Sequence, residues 1–235
     1  MDDGARRAQL AASLAEVGER IERACAEAGR PAGAVTLTAV TKTYPASDVL
    51  LLAGLGVTDV GENRDQEAAP KAAEVRAAGV TVRWHYIGQL QRNKARSVAA
   101  YADVVESVDS ERLAAALNKA ASHRERPLDV LIQVSIDNDP ERGGAAGDDL
   151  GRISDEVASS DGLRLCGLMA VAPLGWEPDR AFARLAELSS RLVAAHPGAT
   201  TLSAGMSGDL EAAIRHGATH VRIGTSLLGM RNLLR

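Results

Sequence analysis

Between Val35 and Ser226 the chain repeats one pattern eight times: a short strand-forming run, a turn, then in most cases a helix-forming stretch. The runs are VTLTAVTK (35–42), VTDVGEN (57–63), VRWHYIG (82–88), DVVESV (103–108), LDVLIQVS (128–135), LRLCGLMAV (163–171), TTLSAGM (200–206) and THVRIGTS (219–226). Their β-branched and aromatic residues favour a pleated backbone. Alanine-rich segments such as Ser110 to Ala121 and Pro178 to Ala195 lie between most of them. Strands that alternate with helices build a parallel sheet covered by helices. Eight such units in 235 residues fit a closed (β/α)8 barrel of the TIM type, an α/β fold. The alternative is an open doubly wound sheet, but no G-x-G-x-x-G follows the first strand. Leu10, Leu14, Val17 and Ile21 recur at helical spacing, so an extra amphipathic helix precedes the barrel. No linker or repeat divides the chain, which predicts a single domain over residues 1–235. The longest irregular stretch, IDNDPERGGAAGDD (136–149), is expected to be mobile.

Charge and composition exclude several classes of function. A net charge of −4 gives no basic footprint for nucleic acid and no polybasic membrane patch. The start, MDDGARRAQL, lacks the apolar core of a signal peptide. The longest uncharged stretch, Leu192 to Gly208, is broken by Pro197 and several glycines, so no membrane span is expected. Cys25 and Cys166 are far apart, without metal-ligand spacing, and read as reduced structural thiols. A soluble, cytoplasmic protein is expected, with no metal site.

Side chains alternate along a strand. In the first run Val35, Leu37 and Ala39 share one face, and Thr36, Thr38, Val40 and Lys42 the other. The apolar face should meet the helices, which sends Lys42 inward at the carboxyl-terminal mouth, where barrels of this kind build their active sites. In the last run Arg222 and Gly224 alternate with Val221 and Ile223, and in the seventh Ser203 and Gly205 alternate with Leu202 and Ala204. Three strands therefore send polar or small groups to one place.

The turns after these strands suit an anion. SAGMSGD (203–209) and RIGTS (222–226) put glycines and hydroxyls at strand-to-helix junctions, where free N–H groups and the helix dipole favour a phosphate. Each has a plainer reading: Ser207 as a helix N-cap, Gly224 as barrel packing, Arg222 as an ion-pair partner. A lysine buried near a cation loses basicity and becomes a better nucleophile toward a carbonyl. Beside a phosphate site, Lys42 then suggests a phosphorylated aldehyde, and pyridoxal 5′-phosphate has both groups.

AVTKTYP, VGENRDQE, WHYIGQLQRNK, GLMAV, LSAGMSGD and VRIGTSLLG, in this order from about Val35 to Arg231, resemble the pyridoxal-phosphate homeostasis protein family. That family is similar to the barrel domain of bacterial alanine racemase. The resemblance implies that Lys42 forms the internal aldimine with pyridoxal phosphate and that Arg222 faces the pyridine nitrogen. It implies that Ser207, Gly224 and Thr225 bind the phosphate, with Ser203 and the Met206 backbone nearby, and that Asn63 lies beside the cofactor ring. A turn-stabilising role for Asn63 is the alternative. His85, Asn93 and Lys94 match family motifs without an assigned role, and His85 reads as a hydrogen-bonded structural histidine. Two positions depart from the family pattern. Tyr44 stands where many members carry a second lysine, and Arg142 with Gly144 replaces a common Lys-x-Gly, so cofactor hand-over through those lysines is in doubt, since arginine forms no Schiff base.

The implied function is a carrier or buffer in intracellular pyridoxal phosphate homeostasis, with apo-enzymes that need the cofactor as possible partners. A racemase-like enzyme is the alternative. Racemases of this type add a β-domain that supplies a second acid/base, and this chain ends at Arg235, just after the eighth strand. An arginine at the ring nitrogen also weakens the ring as an electron sink. A non-enzymatic protein, monomeric or weakly dimeric, is expected.

Overall fold

The eight runs form strands that pair in chain order, all parallel, with the last returning to the first. In the computed structural model, which describes residues 3–139 and 143–229, they are β1 (Thr36–Val40), β2 (Asp59–Glu62), β3 (Arg83–Tyr86), β4 (Val104–Val108), β5 (Leu128–Gln133), β6 (Leu163–Met169), β7 (Thr201–Ser203) and β8 (His220–Ile223). Closure is set by the register of β1 on β8, which places Thr38 opposite Arg222. The expected barrel is therefore observed. Most strands stop short of the run that suggested them, because the chain leaves the parallel ladder to turn. Their ends become the loops of the carboxyl-terminal mouth.

The helices are α1 (Asp3–Glu27), α2 (Ala46–Ala53), α3 (Asp65–Ala77), α4 (Ala95–Tyr101), α5 (Glu111–Ala121), α6 (Leu150–Ala158), α7 (Pro178–Ala195), α8 (Leu210–Arg215) and α9 (Thr225–Leu228). Ser110 caps α5 by accepting from the Leu113 N–H, and Pro178 opens α7, where its missing N–H costs nothing. Ala39, Val60, Val105, Val130, Leu168, Leu202 and Val221 point outward and join one core with the inner faces of the helices. Cys25 is buried in that core as a free thiol. Removing a leucine from such a site costs about 2–5 kcal/mol. Val104, Leu131 and Met169 form a small separate apolar cluster, while Thr38, His85, Glu106, Ser203 and Arg222 are buried polar residues.

The extra N-terminal helix supports the mouth. Leu10, Val17 and Ile21 are buried, and α1 packs along α8 and α9. From it Arg20 reaches the Ser207 carbonyl at 3.1 Å, and Arg6 reaches the Leu228 carbonyl at 3.2 Å. In the loop after β5, Asn138 accepts from Gly147 N–H at 3.0 Å, and Val134 bridges to Ala145. Arg142 lies outside the described residues. Among the described residues no helix is long and apolar enough to cross a membrane.

Candidate functional site

Lys42 lies two residues past the end of β1, in a turn, and its side chain is exposed. The sequence pattern carried the strand through Lys42 and buried it; the chain instead leaves the ladder after Thr41, whose N–H still donates to the Gly61 carbonyl at 3.0 Å. The turn is held on several sides. Lys71 Nζ donates to the Thr41 carbonyl at 2.8 Å and to Glu62 Oε1 at 2.5 Å, and the Thr41 hydroxyl donates to the same oxygen at 2.6 Å. Thr43, at φ +68°, takes a left-handed conformation unusual for a β-branched residue. Its N–H donates to Glu67 Oε2 at 3.1 Å. The Tyr44 hydroxyl donates to the Gly229 carbonyl at 2.7 Å, beneath the Arg6 guanidinium. Strain of this kind persists only where the surroundings fix it. Glu62 is fully buried, and burial pushes its carboxyl up against the opposing pull of the Lys71 ammonium.

Arg222 enters the barrel interior and is 4% exposed. Its two terminal nitrogens donate to Ser203 Oγ at 2.7 Å and to the Ala170 carbonyl at 2.8 Å. Ser203 donates in turn to Glu106 Oε2 at 2.6 Å, Glu106 Oε1 contacts His85 Nδ1 at 2.6 Å, and His85 Nε2 contacts Asp59 Oδ1 at 2.9 Å. Burial opposes charge on His85, but the hydrogen bonds from Asp59 and Glu106 outweigh it and raise its pKa to about 9. Burial likewise opposes charge on Glu106, yet His85 and then Arg222 and Ser203 bring it down to about 2. Two buried cations therefore face two buried carboxylates, the arrangement that makes buried charge tolerable. Ser203, expected near the phosphate positions, spends its hydroxyl inside this chain because it points into the barrel.

The turns after β7 and β8 meet. Ser207 Oγ accepts from the Ser226 N–H at 3.4 Å. Ser207 does not cap α8: the residue before that helix is Asp209, whose Oδ1 takes the Met206 N–H at 2.6 Å. The Met206 N–H, expected to be open to a ligand, is engaged by that carboxylate. Gly205 makes the close packing possible: it sits at φ +91°, and a Cβ there would stand 2.7 Å from Ala213 Cβ. Gly224 precedes α9, of which exposed Thr225 is the first residue, and a Cβ on it would meet Val40 at an ordinary 3.5 Å. β7, β8 and β1 are neighbours in the barrel, so these turns and Lys42 share one side of the mouth.

Asn63 follows β2, half-buried, and its Oδ1 is buried without a hydrogen-bond partner among the described residues. Gly88 has to be glycine, since a Cβ there would lie 2.1 Å from the Asn63 carbonyl oxygen. His85 is internal and hydrogen-bonded, as expected. Asn93 is exposed on a 3-10 turn, and Lys94 lies 3.7 Å from Asp65. Neither joins the residues around Lys42.

The family profile described as the alanine racemase N-terminal domain matches residues 13–232. The pyridoxal phosphate homeostasis protein of Mycobacterium tuberculosis is 46% identical over 245 residues, covering 97% of this chain and 95% of its own. That of Escherichia coli K12 is 38% identical over 231 residues, covering 95% and 97%. The chain belongs to the pyridoxal phosphate homeostasis protein family. Among solved structures, PipY of Synechococcus elongatus, determined with PLP bound, matches with a TM-score of 0.81 and 33% identity over 94% of this chain and 100% of its own. Alanine racemase from Corynebacterium glutamicum matches with a TM-score of 0.69 and 13% identity over 95% of this chain and 62% of its own, which shows the shared fold.

For this member of the homeostasis protein family, Glu62, Glu67, Lys71, Asp59 and Glu106 went unread in the sequence. Glu106 carried a signal: Asp103 opens the run DVVESV, but Glu106 is the carboxylate inside it, at a position that alternation sends inward. Glu62 and Lys71 are nine residues apart on a strand and a helix, so no strand or helix periodicity links them.

Proposed function

We propose that this protein binds pyridoxal phosphate at the carboxyl-terminal mouth and holds it as a reversible Schiff base on Lys42, as a carrier or buffer in intracellular pyridoxal phosphate homeostasis. The observation that carries this reading is Lys42 itself, exposed on a turn fixed by Lys71, Glu67 and Tyr44 and sharing one side of the mouth with the Ser207–Ser226 junction. The residues fit the group. Ser207, Thr225 and the Gly224 backbone offer hydroxyl and N–H partners to a phosphate, and Arg222, on the adjacent strand, supplies a fixed cation toward the ring nitrogen. The orphaned Oδ1 of Asn63 offers an acceptor that no donor among the described residues uses. Ser203 fits better as the residue that steadies Arg222 than as a phosphate ligand. When bound, the cofactor supplies a reactive aldehyde and an electron-accepting ring.

The protein's own groups support holding over turnover. Racemisation needs a proton removed from one face and returned to the other, hence two positioned acid/base groups. Tyr44, the nearest tyrosine in sequence, donates its hydroxyl to the Gly229 carbonyl, and Lys71 and Glu62 are paired beneath the turn. Arg222 keeps its charge and donates rather than yields a proton. Release to apo-enzymes that need the cofactor follows as the partner relationship. The test is incubation of cofactor-loaded protein with L-alanine and other amino acids in deuterated water, with Cα exchange and chirality followed by NMR. The carrier reading expects a spectral shift without sustained turnover. Multiple turnovers at about 1 s⁻¹ or faster, the low end of ordinary enzymes, would replace it with the racemase-like alternative.

A further inference from the structure

The barrel has a second concavity, at the amino-terminal ends of its strands and away from Lys42. There the starts of β2, β3, β4 and β5 surround a cavity of about 790 Å³. Four guanidiniums line it, from Arg83, Arg124, Arg126 and Arg164, along with three carboxylates, from Asp59, Asp103 and Asp129.

The carboxylates are all committed. Asp59 accepts from the Thr58 hydroxyl at 2.6 Å and contacts His85 Nε2 at 2.9 Å. Asp103 accepts from the Trp84 N–H at 2.9 Å. Asp129 accepts from Arg83 and, at 2.6 and 2.7 Å, from two nitrogens of Arg164. The guanidiniums are not all committed. Arg83 and Arg164 share a single carboxylate. Arg124 donates through Nη1 to the Ala99 carbonyl, but its Nε is buried with no partner among the described residues. Arg126 is exposed and has no hydrogen-bond or ion-pair partner among the described residues. Four cations against three carboxylates leave one positive charge, and Asp59 also contacts His85 from behind. The lining is thus short of at least one negative charge.

We propose that this cavity binds a small multivalent oxyanion, a phosphate ester or pyrophosphate or a polycarboxylate. Guanidiniums recognise both by paired N–H···O bonds, and a buried donor without a partner is a cost that such a ligand removes. The volume lies in the range of small-molecule sites and exceeds what one inorganic ion fills. The role is binding: the hydroxyls in the lining are those of Thr58, which donates to Asp59, and Thr81, and chemistry in this fold belongs to the other end.

The test is calorimetric titration of the full-length protein, loaded with pyridoxal phosphate and then freed of excess cofactor, with pyrophosphate and separately with citrate. Saturable one-site binding of at least one anion is expected, and the stronger of the two tells phosphate from carboxylate recognition. Arg126→Ser, at an exposed residue with no partner to lose, and Arg124→Gln should each weaken it about tenfold or more, the scale of a charged hydrogen bond. Ser207→Ala should leave it unchanged, which separates this cavity from the mouth. Absence of saturable binding for both anions overturns the proposal. So does a change under twofold in both arginine variants that still unfold cooperatively, or a loss caused by Ser207→Ala.

Discussion

Lys71 donates to the carbonyl of Thr41 at 2.8 Å, so a buried ammonium grips the backbone one residue before Lys42. The same ammonium neutralises Glu62, and the two side chains are 7% and 0% exposed. Lys71→Met should therefore destabilise by about 3–5 kcal/mol, because it strands a buried carboxylate. The paired change Lys71→Met with Glu62→Leu should recover most of that loss, since apolar replacements of buried pairs are often neutral. It should not restore the turn. Capture of pyridoxal phosphate, followed by absorbance in a stopped-flow instrument, should stay several-fold slower in the double variant. Recovery of both stability and capture rate would show that the pair does not position Lys42.

The interior chain makes stability depend on pH at both ends. His85 is raised from 6.5 to about 9, so its contribution is complete below pH 6.5 and is lost as pH climbs through 9. Glu106 is lowered from 4.5 to about 2, so its contribution is complete above pH 4.5 and is lost as pH falls toward 2. Both shifts describe largely the same contact, worth on the order of 3 kcal/mol and counted once. Chemical unfolding measured from pH 5 to 9 should show stability falling above pH 6.5, and His85→Gln should flatten that fall. An unchanged slope in the variant would place the titration elsewhere.

Gly88 sets how close the strand β3 exit comes to Asn63. Gly88→Ala would put a Cβ 2.1 Å from the Asn63 carbonyl oxygen, a backbone atom that cannot swing away. A loss of about 1–3 kcal/mol in stability or more is expected, with weaker cofactor binding as Asn63 shifts. Gly208→Ala is the control, since nothing lies within 4 Å of its added Cβ. Similar Tm values for the two variants would contradict this account of the Asn63 turn.

The strand–helix alternation and inward alternation of Ser203, Arg222 and Gly224 were enough to read the barrel and one side of its mouth from the sequence. Those signals are local, with periods set by the backbone. Lys42 shows the limit: alternation gave its side of the strand but not the point where the ladder ends, which depends on Lys71 and Glu67 one element away. Ser207 shows a second limit. Its spacing suited a helix cap, yet the cap position fell to Asp209, and the hydroxyl instead meets an N–H from the next turn. The pairing of His85 with Asp59 and Glu106 joins three strands, and no pattern within any one of them discloses it.

The phosphate reading depends on Ser207 and Thr225. Each charged hydrogen bond is worth about 1.5–3 kcal/mol, so Ser207→Ala or Thr225→Ala should weaken pyridoxal phosphate by about tenfold or more. Unphosphorylated pyridoxal should bind each variant nearly as it binds the unaltered protein. Equilibrium titration with both aldehydes checks this, and equal losses for the two would count against a phosphate site between these turns.

The account rests most heavily on Lys42 as the residue that holds the cofactor, and one chemical measurement reaches it directly. Purified protein is loaded with pyridoxal phosphate, reduced with borohydride to fix any Schiff base, digested and mapped by mass spectrometry. The sequence has four lysines, and Lys42 is the one in the turn after β1. The account predicts the pyridoxyl group on Lys42 and its loss in Lys42→Ala. A label on Lys71, Lys94 or Lys119 instead, or one that survives Lys42→Ala, would contradict it.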